Sequence, residues 1–112
     1  MLLRRFEQSE LHEAIRWAID GNMALHVCGR LRPTRLAVFN QSGLWGHLFC
    51  RDLEGLIVSA RHFGVQRVVI HHEGTDRQHV DLCGKPLELA IRMAEMVAED
   101  NKEQNDENVS DD

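Results

Sequence analysis

Between residues 23 and 70 the chain changes its hydrophobic period twice, and that alternation limits the folds open to it more than any other feature. In MALHVC, residues 23–28, Met23, Leu25 and Val27 alternate with Ala24, His26 and Cys28, the period of a strand. LAVFN, residues 36–40, reads as a second short strand, reached through the arginine-rich GRLRPTR. Gln41 to Gly46 reads as loop. Asp52 then opens a helix with Leu53, Leu56, Ile57 and Ala60 on one face, closed by Gly64. VQRVVI, residues 65–70, is apolar on both faces at its end, which suits a strand interior to a sheet. A strand, a helix and a further strand within about 45 residues predict a right-handed βαβ unit and a partly parallel sheet.

Helical stripes flank this segment. Leu11, Ala14, Ile15, Ala18 and Ile19 follow Ser9, a good N-cap, and stop at Gly21, giving a helix over about residues 9–20. Pro86 fits the first turn of a final helix whose stripe is Leu87, Ala90, Ile91, Ala94 and Val97. The expected order is α-β-β-α-β-α: an α/β fold with a small sheet of about three strands and helices packed in two or three layers. Residues 1–98 suffice for one domain.

The net charge of −5 is unevenly spread. Residues 99–112, EDNKEQNDENVSDD, hold seven acids and one lysine, while the other 98 hold eleven acids and twelve bases. With Val109 as its one aliphatic residue, the tail cannot offset its ordering entropy by burial and is expected to be disordered. It serves solubility, or binds a basic partner as a nucleic-acid mimic. No apolar run reaches the roughly 20 residues of a membrane span. The N-terminus lacks the apolar core of a secretory signal. Cys28, Cys50 and Cys83 are odd in number and show no C-x-x-C spacing, which suits free thiols in a cytoplasmic protein.

HHEGTDRQHVDL, residues 71–82, concentrates the chemistry: three histidines, two aspartates and a glutamate directly after an apolar run. In an open α/β sheet ligands bind beyond the carboxyl ends of the strands. The 29–35 loop, the 45–52 segment and the 71–82 loop should meet there. Their candidates are His47, His79 and Asp81 as a catalytic group, with Arg30, Arg32, Arg35, Trp45 and His72 as ligand-binding residues. A histidine oriented by a carboxylate is the usual general base near neutral pH. Arginine forks suit phosphate or carboxylate. His71 and His72 should point to opposite faces, so at most one joins the site. His79-x-Asp81, extended by Cys83, is also a metal-ligand spacing, with His47 or His72 as third ligand and zinc the metal such a set would hold. A closed structural zinc site needs a fourth ligand that the spacing does not supply, so no tightly bound cofactor is expected. No nucleophile elbow or phosphate-cradling glycine motif is present. The absence of tyrosine and the aromatic content of 5 % argue against a strong base-stacking surface for nucleic acid.

Trp45-Gly46-His47-Leu48, Asp52-Leu53-Glu54, Ala60, Gly64 and His79-Val80-Asp81 together resemble an uncharacterised bacterial and phage family of short α/β domains. That family's pattern is W-x-H-L, an acid opening a helix with an E-L-H-x-x-A-type face, a glycine turn into a strand, and H-Y-D. The resemblance covers about residues 23–95. Val80 stands where the family has tyrosine, Gly55 and Leu56 break the E-L-H face, and the first helix and acidic tail are additions. It implies an α/β fold and a shared polar cluster of His47, His79 and Asp81, and it implies no particular activity.

Two functions of different kind fit these residues. One is a small cytoplasmic protein whose His/Asp cleft binds, and as an enzyme would act on, a small anionic ligand bearing phosphate or carboxylate. The other is a non-enzymatic protein of phage or mobile-element origin that modulates a host protein complex through protein contacts or acidic mimicry. A homodimer suits either. Because the last apolar stripe ends at Val97, truncation after Ala98 should leave the thermal midpoint within about 3 °C in a calorimetric melt.

Overall fold

A computed structural model describes residues 1–29 and 43–110, with side chains in the second stretch as far as Asn101. The strand expected over 36–40 and the candidates Arg30, Arg32 and Arg35 lie outside the described residues. Four strands form one mixed sheet: β1 (Leu3–Phe6), β2 (Met23–Cys28), β3 (Trp45–Phe49) and β4 (His79–Cys83), side by side in chain order. Among the described residues the helices are α1 (Leu11–Ile19), entered through a short 3-10 turn at Gln8–Glu10, α2 (Leu53–His62) and α3 (Gly84–Ser110). The α/β class and the partly parallel sheet match the sequence reading. The placement of the parallel pair does not.

The parallel pair is β1 with β2, Leu3 opposite Met23 and Phe6 opposite His26, with α1 as the crossover. β3 and β4 join antiparallel. LRRF escapes notice as a strand because it is four residues long and half arginine. Its pattern is nonetheless strand-like: Leu3 packs on the main core, while the Arg4 guanidinium sits 4.9 Å from the Phe6 ring centre on the opposite face. Conversely, residues 65–70 form no strand. Val68 and Ile70 pack on the core but Val69 is 51 % exposed, and among the described residues the only ladder contact nearby is the bridge from His71 to His79. A short run of β-branched residues cannot distinguish a strand from an extended connection laid over a core. The pairing edge of β4 is limited to that bridge because His72 adopts φ of 53° and turns the chain away. Trp45 and Gly46, expected in a loop, begin β3 instead.

Strand alternation divides the side chains between two cores. Leu25, Leu48, Val80 and Leu82 face α2 and α3, meeting Leu56, Ala60, Leu87 and Ala90. Each fully buried leucine of this group contributes about 1.5–3 kcal/mol of transfer free energy. Ala24, Phe49 and Phe6 face the other way, where Ala14 and Ala18 of α1 cover them. The sheet is therefore the middle of three layers, but α1 spans only the β1–β2 side. Among the described residues no helix lies over β3 and β4 on that face, which carries Trp45, His47, His79, Asp81 and Cys83, all of intermediate burial.

Two helix ends differ from expectation. Glu10, not Ser9, precedes α1, and Glu7 and Glu10 satisfy each other's backbone amides in a capping box. At the other end α3 runs to Ser110, through most of the segment expected to be disordered. No glycine or proline follows Pro86 of its first turn, and Glu, Gln and Lys are good helix formers.

Gly46 lets α3 approach the sheet closely: a Cβ there would lie 3.0 Å from Leu87 Cδ1 and 3.2 Å from the His26 carbonyl oxygen. The carbonyl is backbone and cannot step aside. Gly46→Ala should destabilise the fold by about 1–3 kcal/mol in a urea denaturation, the usual effect of overpacking a core.

Candidate functional site

Antiparallel register, rather than loops converging at strand ends, assembles the polar cluster. His26 of β2 is opposite His47 of β3, and His47 is opposite Asp81 of β4. One row across three strands therefore reads His, His, Asp on the face that α1 leaves open. The neighbouring rows bring Cys28, Trp45 and Cys83 together on one side, and Ala24, Phe49 and His79 on the other. The His47 and His79 ring centres are 5.0 Å apart, and Trp45 stands edge-on to His47 at 4.7 Å.

Side-chain hydrogen bonds tie down the turn before β4. Gln78, 3 % exposed, donates from Nε2 to the carbonyls of Cys50 (2.9 Å) and Arg51 (3.2 Å) and accepts the Gly74 amide at 2.8 Å. Thr75 donates its hydroxyl to the His72 carbonyl at 2.7 Å. His79 then enters the strand with Nδ1 donating to the Arg77 carbonyl at 2.7 Å.

Hydrogen-bond partners fix the imidazole protons. His26 Nε2 lies 3.0 Å from the Gln8 carbonyl, which can only accept, so Nε2 carries the proton. His26 Nδ1 is then an acceptor, and it lies 3.3 Å from His47 Nδ1. Two lone pairs would repel at that separation, so His47 is protonated on Nδ1. Its Nε2 consequently presents a lone pair toward Asp81 Oδ1, 3.8 Å away.

Three imidazoles surround the Asp81 carboxylate. His79 Nε2 is 3.3 Å from Oδ1, His71 Nε2 is 3.3 Å from Oδ2, and His47 completes the set. These are ion-pair distances without full alignment: Asp81 Oδ1 is shielded from water yet has no hydrogen-bond partner among the described residues. The arrangement separates the two central histidines. Burial, only partly offset by Asp81, lowers His47 to about 4, so its ring is neutral. Burial also opposes the charge on His79, but the Asp81 contact, the Arg77 carbonyl and the Asp81 charge together raise it above its ordinary value. Burial pushes the Asp81 carboxyl up, and the surrounding histidines more than reverse this, lowering it overall.

His47, His79 and Asp81 thus come together, with Trp45 as a wall. Two groups hold the His79 ring, the Arg77 carbonyl at Nδ1 and Asp81 beside Nε2. His72 remains exposed at the rim, its ring centre 5.8 Å from that of His79, and His71 is the member of that pair that reaches Asp81. Sequence reasoning gave no site role to His26, and counted Cys28 only among the free thiols. Their signal was present: both lie on the face of MALHVC opposite Met23, Leu25 and Val27. Which strand would pair with it, and in what register, was not written in that segment.

One ligand atom from each of His47, His79 and Asp81 lies within 4.8 Å of the others, and the same holds for His26, Cys28 and His47. Both are compatible with a single ion. All three cysteines are free, Cys28 and Cys50 buried. No helix of the described residues is long and apolar enough to cross a membrane.

Imidazole titrations followed by NMR in chelator-treated protein should separate the two rings. His47 should titrate near 4 and His79 above 6.5. Removing the charge in Asp81→Asn should lower the His79 value. The stability signs are opposite. His47, depressed when folded, contributes stability that is lost as pH falls from about 6.5 toward 4. The raised His79 contributes stability present below 6.5 and lost as pH rises through its folded value.

Compared with family profiles, curated proteins and solved structures, the chain finds no match.

Proposed function

We propose that the open face of β3 and β4 binds a zinc-class divalent ion through His47, His79 and Asp81, and that this ion holds a small anionic ligand. The observation that carries the reading is Asp81 Oδ1, a shielded carboxylate oxygen with no hydrogen-bond partner among the described residues, facing imidazole nitrogens. A cation between these atoms satisfies the carboxylate and uses the lone pairs that the outer hydrogen bonds direct inward. The outer partners follow the usual pattern for a metal-bound imidazole, whose other nitrogen donates to a carbonyl or another acceptor. Here those acceptors are the Arg77 carbonyl for His79 and His26 Nδ1 for His47.

Three protein ligands leave a tetrahedral ion one open position, the arrangement of catalytic rather than structural sites. His71, 3.3 Å from Asp81 Oδ2 and 43 % exposed, is placed to support the carboxylate or to supply a fourth ligand. That possibility is the one the spacing alone did not provide. An ion with an open position would bind phosphate or carboxylate, and would activate a water against it if the protein is an enzyme. The protein's three free thiols suit a reducing, cytoplasmic setting for such a site.

Calorimetric titration of chelator-treated protein with zinc should give one ion per chain. Asp81→Asn should weaken binding by more than the roughly 10–100-fold that loss of a merely supporting residue causes. Zinc at about 100 times its Kd should add about 2.7 kcal/mol to the unfolding free energy. Equal zinc affinity in the wild type and Asp81→Asn would sink this reading.

A further inference from the structure

His47 has two ring nitrogens, and each faces a different set of ligand-type atoms. Nε2 faces Asp81. Nδ1 faces His26 Nδ1 at 3.3 Å and Cys28 Sγ at 3.9 Å, and Cys28 Sγ is 3.6 Å from His26 Nδ1. A tetrahedral zinc, with bonds of about 2.0–2.1 Å to nitrogen and about 2.3 Å to sulfur, sets its nitrogens about 3.3 Å apart and nitrogen from sulfur about 3.6 Å. Two edges of the triangle agree with those values, and the third is longer by a few tenths of an ångström. We propose that His26, Cys28 and His47 form a second metal position, buried and thiolate-bearing, that takes a thiophilic divalent ion and competes with the open set for His47.

Its surroundings differ from those of the open set. His26 and Cys28 are each 4 % exposed, whereas Asp81 and His71 face solvent in part. His26 is already held for the role: Nε2–H donates to the Gln8 carbonyl, leaving Nδ1 free to bind an ion. Two imidazoles and a thiolate favour zinc or cobalt over magnesium or calcium, which want oxygen ligands.

The competition, which rests on the open-site reading, follows from one proton. With the open set filled, His47 keeps its proton on Nδ1 and gives its Nε2 lone pair to the ion. With the buried set filled, the Nδ1 lone pair binds the ion and the proton moves to Nε2, toward Asp81. The Cys28 S–H bond also breaks: its electron pair forms the bond to the ion and its proton leaves to solvent. A neutral imidazole cannot serve both positions. Because the buried set requires both a thiol proton to leave and the His47 proton to move, the open set fills first.

Cobalt(II) tests this, since thiolate-bound cobalt shows an intense near-ultraviolet charge-transfer band that nitrogen and oxygen ligands do not give. The full-length wild type should bind one cobalt with little of that band. His79→Ala, which removes an open-set ligand, should still bind one cobalt, now with the band. Adding Cys28→Ser to His79→Ala should abolish the band. Cys28→Ala gives the same test with a small apolar side chain if the serine variant melts early. His47→Ala should bind at neither position. A folded His79→Ala protein that binds cobalt without the band, or does not bind it, overturns the buried position. Two cobalt ions per wild-type chain overturn the competition. If the wild type shows a band that Cys28→Ser removes, and Asp81→Asn binds zinc as tightly as wild type, the open-site reading fails while the buried one stands.

Discussion

The register of β3 between β2 and β4 governs every other feature of the polar face. It sets His26, His47 and Asp81 in one row and places Leu48 on the opposite side with Leu25 and Val80. Strand side chains alternate with a period of two, so a slip of one residue would turn His47 into the leucine core and bring Leu48 out among the histidines. The core therefore enforces the ligand geometry. Burying Leu48 and Leu82 completely is what holds His47 and Asp81 opposite each other. Ligands carried on paired strands are also better fixed than ligands carried on loops.

Partial cover completes the arrangement. α1 lies over Phe6, Ala24 and Phe49, so the polar row runs from beneath a helix at His26 to partly open surface at Asp81. One row of similar side chains thereby samples a gradient of environment. His26 gives its outer proton to a backbone carbonyl, His47 is driven neutral by burial, and His79 is raised above its ordinary value by the carboxylate and carbonyl beside it. Environments that push the pKa values of neighbouring groups apart are how a single residue type comes to fill different chemical roles.

Much of the fold was legible in the sequence because it rests on local periodicity. The helical stripes of α1, α2 and α3 and the alternation in MALHVC all appear where the pattern put them. His47, His79 and Asp81 were picked out too, by residue type, by the expected convergence of loops and by the family resemblance. What stayed hidden depends on pairing. LRRF is a strand because it lies beside β2, and VQRVVI is not one because among the described residues no neighbour pairs along it. His26 and Cys28 carried the right period, but their value as ligands exists only once β3 is laid antiparallel beside them. The site was sought at strand ends, as a parallel sheet would place it, and the antiparallel half of the sheet moved it onto a face.

Gln78 has a consequence for how this protein breathes. The turn before β4 looks loose by its solvent exposure, with residues 72–77 all exposed. Its Gly74 amide is nevertheless bonded to a side chain that is itself buried and bonded to the chain leaving β3. Opening of such a turn is opposed, because the first step would strip the buried Gln78 Oε1 of its Gly74 partner. Hydrogen exchange at Gly74 would then follow the slow opening of the core rather than the fast fraying of a surface loop. The segment richest in polar residues would belong, kinetically, to the interior.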